Sequence, residues 1–242
     1  MRSSLRVAAV ILFMMTVSII EIRAQGADNN ASVNSNSSEN AASQTASGSP
    51  YLLKKGDNEF GIWGGMAFKA TTIFGGLRED EARGRKFVVA AFRYGRTLFA
   101  NRSAALQYTL DAIPLALATG NLVGNVQPAP NGSFATTARR ESTYGAGVTP
   151  LGLQVDFRNE HHIKPFLHVN GGLLVFTKPV PLPDSGKFSY VGEAGTGLRI
   201  FTSDRRAVTL GVRFHHISNG NRSGSNRGLN EFVIYAGFSI FK

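Results

Sequence analysis

The stretch Arg213-Phe-His-His-Ile-Ser-Asn-Gly-Asn221 sets two histidines, a serine and two asparagines just past an apolar run, "AVTLGV". Serine is a weak nucleophile until a base takes its proton, and histidine is the usual base near neutral pH. A third acceptor normally fixes the tautomer and orientation of the imidazole. Asn230 follows a short polar loop later and could supply that acceptor. A His-x-Ser spacing puts both side chains on one face of a strand, because successive side chains alternate between faces. The chemistry therefore depends on which strands carry these residues and what each face meets.

The start of the chain bears on the compartment. Arg2 and Arg6 precede an apolar run from Val7 to Ile20, and Ala24 is a small residue before a plausible cut. This is the layout of a secretory signal peptide over 1–24, and the run is short for a membrane span. Residues 25–50 are rich in Asn, Ser and Ala and lack the apolar surface to fold, so they read as a disordered leader. Residues 51–242 then form one domain. The chain has no cysteine, so this exported domain must be held by packing and hydrogen bonds alone. It carries 26 basic and 16 acidic residues; a cut after Ala24 removes Arg2, Arg6, Arg23 and Glu21, leaving 23 and 15, a net charge of +8. Such a charge attracts anionic partners. No nucleic-acid motif is present, which favours phosphorylated lipid.

From Asn58 onward alternation, glycine and aromatics dominate, and helical periodicity is absent. Eight runs read as strands: about 58–70, 86–97, 102–113, 142–158, 163–177, 187–201, 206–218 and 230–242. The first, third, fifth and seventh connections are long, the third running from Pro114 to Glu141; the second, fourth and sixth are short. Long loops at one end and short turns at the other predict an all-β fold, an eight-stranded antiparallel up-and-down transmembrane β-barrel in the outer membrane. Along the third strand Ala104, Leu106, Tyr108 and Leu110 oppose Gln107, Thr109 and Asp111; along the fourth, Leu151, Leu153, Val155 and Phe157 oppose Gln154, Asp156 and Arg158. Lipid outside and a polar interior account for this pattern. A soluble β-domain would instead turn its polar face to water.

In the seventh strand Val208, Leu210, Val212 and Phe214 form the lipid face, and the same parity reaches His216 and Ser218. His215 then points inward, toward a carboxylate such as Glu193 or Glu231. In the eighth strand Phe232, Ile234, Ala236, Phe238 and Ile240 face lipid, and stepping back by two reaches Asn230. The joining hairpin brings Asn230 toward His216 and Ser218 on the outer wall, at the long-loop end. The bland alternative is a polar girdle at the bilayer edge, where polar residues cost little. His161, His162 and His168 invite a zinc reading, but no ligand spacing fits.

"FHHISN…NRGLNEF" at the last hairpin resembles the lipid A 3-O-deacylases of the PagL type. That family carries His-x-Ser-Asn, a loop, and then an acid preceded by Gly and an aliphatic residue. The resemblance places the catalytic His and Ser on His216 and Ser218. It places the acid on Asn230, a departure, with Glu231 as the alternative third member through a strand shift. It makes Asn219 and Asn226, with backbone N–H groups of the loop, candidates for an oxyanion hole. It implies hydrolysis of the 3-position acyl ester of lipid A without metal or cofactor. Arg222, Arg227, Arg139, Arg140, Lys178 and Lys187 are candidate partners for lipid A phosphates. The expected partners are lipopolysaccharide and outer-membrane lipid, not nucleic acid, and a second copy of the chain as a homodimer is compatible with this reading. Two other readings stand beside it: a non-catalytic structural or adhesive barrel, and an esterase acting on phospholipid.

Overall fold

A computed structural model describes residues 49–74, 76–128, 134–224 and 226–242, with the backbone alone between 122 and 138. The expected signal peptide and nearly all of the expected leader lie outside the described residues. The strands are β1 (Asn58–Ala67), β2 (Ala70–Thr71), β3 (Lys86–Ala100), β4 (Ala104–Pro128), β5 (Phe134–Phe157), β6 (Ile163–Phe176), β7 (Phe188–Ser203), β8 (Arg206–Ser218) and β9 (Leu229–Phe241), with one helical turn, α1 (Glu79–Ala82), before β3. Each long strand pairs antiparallel with its sequence neighbour, and β1 pairs with β9, so eight long strands close into a barrel. Closure leaves no open sheet edge within the wall, which is what a bilayer demands of β-structure. The short β2 continues the β1 side of the seam, placing Ala70 opposite Glu231 and Thr71 opposite Asn230.

The polarity of the wall decides its surroundings. Phe60, Ile62, Phe92, Leu151, Leu198, Leu210, Ile234 and Ile240 are exposed on the outside. Glu59, Arg93, Asp111, Gln154, Asp156, Arg199 and Arg213 are buried within. A soluble β-domain would reverse this arrangement; the wall is a transmembrane one.

Several of the buried charges pair with one another. Arg199 donates to Glu59 (2.9 Å), Asp156 (2.9 Å) and Gln107 (2.6 Å). Arg93 forks onto both oxygens of Asp111 at 2.7 Å. Arg213 donates to Glu193 at 2.9 Å and lies between the rings of Trp63 and Tyr235. At the short-turn end the segment before β1 closes the barrel. Leu53 packs among Ala105, Phe201, Ala207 and Phe241. Its backbone N–H and carbonyl both bond the amide of Asn159, and Lys164 donates to the Tyr51 carbonyl.

The third connection is not the long loop expected from Pro114 to Glu141. β4 runs on to Pro128 and β5 starts at Phe134, forming a hairpin that extends beyond its neighbours. Pro114 and Pro150 look like strand breakers, yet each sits at a register shift, where a missing N–H is tolerated. The hydroxyls of Tyr144 and Tyr108 bond the carbonyls of Pro114 (2.5 Å) and Pro150 (2.6 Å).

Candidate active site

Burial alternates along β8. Arg213, His215 and Ile217 are buried; Phe214, His216 and Ser218 are partly exposed. His216 and Ser218 therefore share the outer wall at the long-loop end. The β8–β9 register pairs His216 with Asn230 and His215 with Glu231. His216 Nδ1 lies 2.5 Å from Asn230 Oδ1. Asn230 Nδ2 donates to the Ile73 carbonyl at 2.8 Å, so the amide is 1 % exposed although it belongs to the outward set.

These two contacts fix the orientation of the amide. A flipped amide would set its oxygen against the Ile73 carbonyl, so the nitrogen faces Ile73 and the oxygen faces the imidazole. The Asn230 oxygen can only accept, so Nδ1 of His216 carries the proton. In the neutral ring that proton leaves the lone pair on Nε2, the form a general base needs.

Glu231 is 0 % exposed and lies inside the barrel opposite His215. The strand shift that would bring it to His216 is not the register adopted. His215 stacks on Phe87, with ring centroids 4.8 Å apart. Its Nε2 is 3.7 Å from Glu193, beyond hydrogen-bond length.

The loop residues divide. The Asn219 side chain turns inward: Nδ2 donates to the Ser185 carbonyl (2.7 Å) and to Ser223 Oγ (2.6 Å), and Oδ1 accepts from the Asn221 N–H (3.0 Å). It ties the β6–β7 loop to the β8–β9 loop, and in this arrangement its amide nitrogen serves those contacts. Arg227 is held by a neighbouring loop. Its Nη1 reaches both oxygens of Glu81, at 2.5 and 2.7 Å, which makes it a link to the first loop rather than a free phosphate partner. Asn226 is exposed, and so is Arg222, which donates to the Tyr190 hydroxyl at 3.1 Å. Arg139 and Lys178 both contact Glu141, and Arg140 donates to the carbonyls of Gly120 and Asp80. Among the described residues, no group of three or more His, Asp and Glu side chains could hold a metal.

Sequence reasoning missed the residues that pack around the imidazole. A Cβ at Gly228 would stand 2.5 Å from His216 Cε1, so only glycine lets the loop backbone lie against the ring. Gly76 has φ +109°, and a Cβ there would meet the Gly228 carbonyl at 2.4 Å and Asn230 Nδ2 at 3.1 Å. The first loop thus lies directly on the last one. Phe74, at φ 64°, sets its ring 5.3 Å from that of Phe214, which is 5.5 Å from Phe232. These rings make an apolar wall on the membrane side of His216 and Asn230. A left-handed non-glycine residue costs about 1–3 kcal/mol, and such positions gather at functional sites. Glu81 anchors the loop from its far side. Burial pushes its carboxyl up, but the Arg78 backbone N–H and the guanidinium groups of Arg227 and Arg78 outweigh that and hold it below the usual carboxylate range. The only sequence signal for this was an acidic run, "EDE", in a loop facing a basic one.

The family model for lipid A 3-O-deacylase (PagL) matches residues 101–239. The chain belongs to the PagL family. No curated protein matches it. Among solved structures it is similar to the outer membrane enzyme PagL, at 15 % identity over 75 % of this chain and 97 % of that one, with a TM-score of 0.46. It is similar to the outer membrane protein OprG from Pseudomonas aeruginosa at 12 % identity, 79 % and 98 % coverage and a TM-score of 0.45. It is similar to Neisserial surface protein A at 13 % identity, 77 % and 97 % coverage and a TM-score of 0.42. His216, Ser218 and Asn230 all fall within the PagL match, whereas the first loop, 71–85, lies outside it.

Proposed function

We propose that this protein is an outer-membrane serine esterase that removes the 3-position acyl chain of lipid A. The observation that carries the reading is the 2.5 Å contact between His216 Nδ1 and Asn230 Oδ1 on the lipid-facing wall, with Ser218 on the same face of β8. Membership of the PagL family supports the substrate class.

Ser218 Oγ attacks the ester carbonyl carbon while Nε2 of His216 takes the hydroxyl proton. The tetrahedral intermediate collapses as the C–O bond to the sugar breaks, and the imidazolium protonates the departing sugar oxygen. His216 then draws a proton from water, and the resulting attack on the acyl-enzyme frees a hydroxy fatty acid and restores Ser218. Asn230 holds the ring during both proton transfers. Its neutral oxygen orients the imidazolium but stabilises it less than a carboxylate would. Backbone N–H groups of the 219–220 turn are the candidates for holding the oxyanion. Lipid A reaches the site from the outer leaflet, with its acyl chains against Phe214, Phe232 and Phe74. The exposed Arg222 stands where a phosphate could meet it.

Mass spectrometry of lipid A from cells expressing the protein or its Ser218→Ala variant tests this. Loss of one hydroxyacyl chain with the wild type alone is the expected result. Identical lipid A in both overturns it, in favour of a non-catalytic barrel. Altered phospholipid beside intact lipid A would reassign the substrate.

A further inference from the structure

We propose that the first extracellular loop positions the active site, its Ile73 carbonyl fixing the Asn230 amide and hence the His216 tautomer, with Glu81 and Arg227 as the positioning pair that holds the loop in place. This rests on the catalytic reading above for its effect on turnover, but not for its geometry.

The connection runs in three steps. Thr71 pairs with Asn230 across the seam, so the loop leaves the sheet directly over the amide. The Ile73 carbonyl then accepts from Asn230 Nδ2, and Gly76 lies on the Gly228 carbonyl, where a side chain could not fit. Finally Glu81, in α1, accepts from Arg227 on the last loop and from the Arg78 backbone N–H, while Arg85 Nε donates to the Glu81 carbonyl at 2.7 Å. The Glu81 side chain is 8 % exposed and Arg227 38 %. The pair is thus more shielded than an ordinary surface ion pair, which contributes little. If the loop lifts, Asn230 loses the acceptor that orients it, and the amide can turn its nitrogen to the imidazole. Nδ1 would then have to accept, the proton would move to Nε2, and Nε2 would no longer offer a lone pair to a hydroxyl proton. The same contact explains why an amide stands at 230: a carboxylate would set a second oxygen against the Ile73 carbonyl.

The test uses the full-length barrel in detergent micelles, uniformly labelled with 15N-histidine, as wild type and as Glu81→Gln, Arg227→Gln and Arg227→Lys. Heat-modifiable migration on gels confirms that each is folded. The His216 ring signals are those absent from His216→Asn. The wild type is expected to carry its proton on Nδ1. Glu81→Gln and Arg227→Gln are expected to show a mixture of tautomers, with kcat lowered on the order of tenfold at unchanged KM. Arg227→Lys, which keeps the charge, is expected to retain most of the wild-type behaviour. A His216 tautomer identical in wild type and both glutamine variants overturns the proposal. If wild-type protein hydrolyses no ester, the catalytic reading fails, while the ring spectra still decide whether the loop sets the tautomer.

Discussion

His216 and Asn230 face each other across the β8–β9 pair, Nδ1 to Oδ1 at 2.5 Å, on the lipid side of the wall. This contact makes the roles at the site separable by substitution. Under the proposed mechanism Ser218→Ala and His216→Ala each remove a reacting group, and a drop in kcat of at least about 10³-fold is expected for either. Asn230→Ala removes only the orienting group, and a smaller loss, on the order of 10²-fold, is expected. Turnover of an ester substrate in mixed micelles measures all three; equal losses for Asn230→Ala and Ser218→Ala would deny Asn230 a merely orienting role.

Gly228→Ala should reduce turnover without unfolding the barrel. The new methyl group would stand 2.5 Å from His216 Cε1, so the ring must tilt or the loop must lift. A misplacement of about 1 Å can cost on the order of 10²-fold in rate. Assays beside gel mobility check both halves, and unchanged kcat would show that the loop yields freely.

The first loop should release in acid. Glu81 has its carboxyl held below the ordinary 4.5, so its pairing supports the folded arrangement fully above that value and less as pH falls through the lowered one. Hydrogen exchange of the loop amides, corrected for intrinsic pH dependence, should show protection at neutral pH that fades below the ordinary carboxylate range. In Glu81→Gln that pH dependence should be gone.

The interior should be intolerant of half-removed pairs. Arg199 meets Glu59 and Asp156, all three fully buried. Arg199→Met leaves both carboxylates without the cation between them, and about 3–5 kcal/mol of stability should be lost. Urea unfolding followed by Trp fluorescence measures this; a midpoint close to wild type would mean that water reaches the interior readily.

Much of the wall was legible because a strand repeats every two residues. Gln107, Thr109 and Asp111, or Val208 through Phe214, declare their faces by parity alone, and the same parity carries outward to His216 and Ser218. The barrel's extent was harder to read. Pro114 looks like the end of a strand, and only the register shift beside it shows how the ladder continues. The surroundings of the site were not legible for a different reason. Ile73, Gly76 and Glu81 reach Asn230, Gly228 and Arg227 across more than half of the sequence, and no local pattern encodes such a contact. The contacts of Asn219 were hidden for a related reason: its type suits an oxyanion donor, and only the turn shows that its amide nitrogen reaches Ser185.

The plug formed by Leu53, Asn159 and Lys164 has a consequence for traffic. A cylinder corked at its base and filled with paired charges is no conduit, so a molecule bound for the outer face does not arrive through the lumen. If the proposed esterase reading holds, the lipid it acts on arrives by two-dimensional diffusion within the leaflet. On that reading the encounter rate is governed by the fluidity and composition of the lipid in which both partners move.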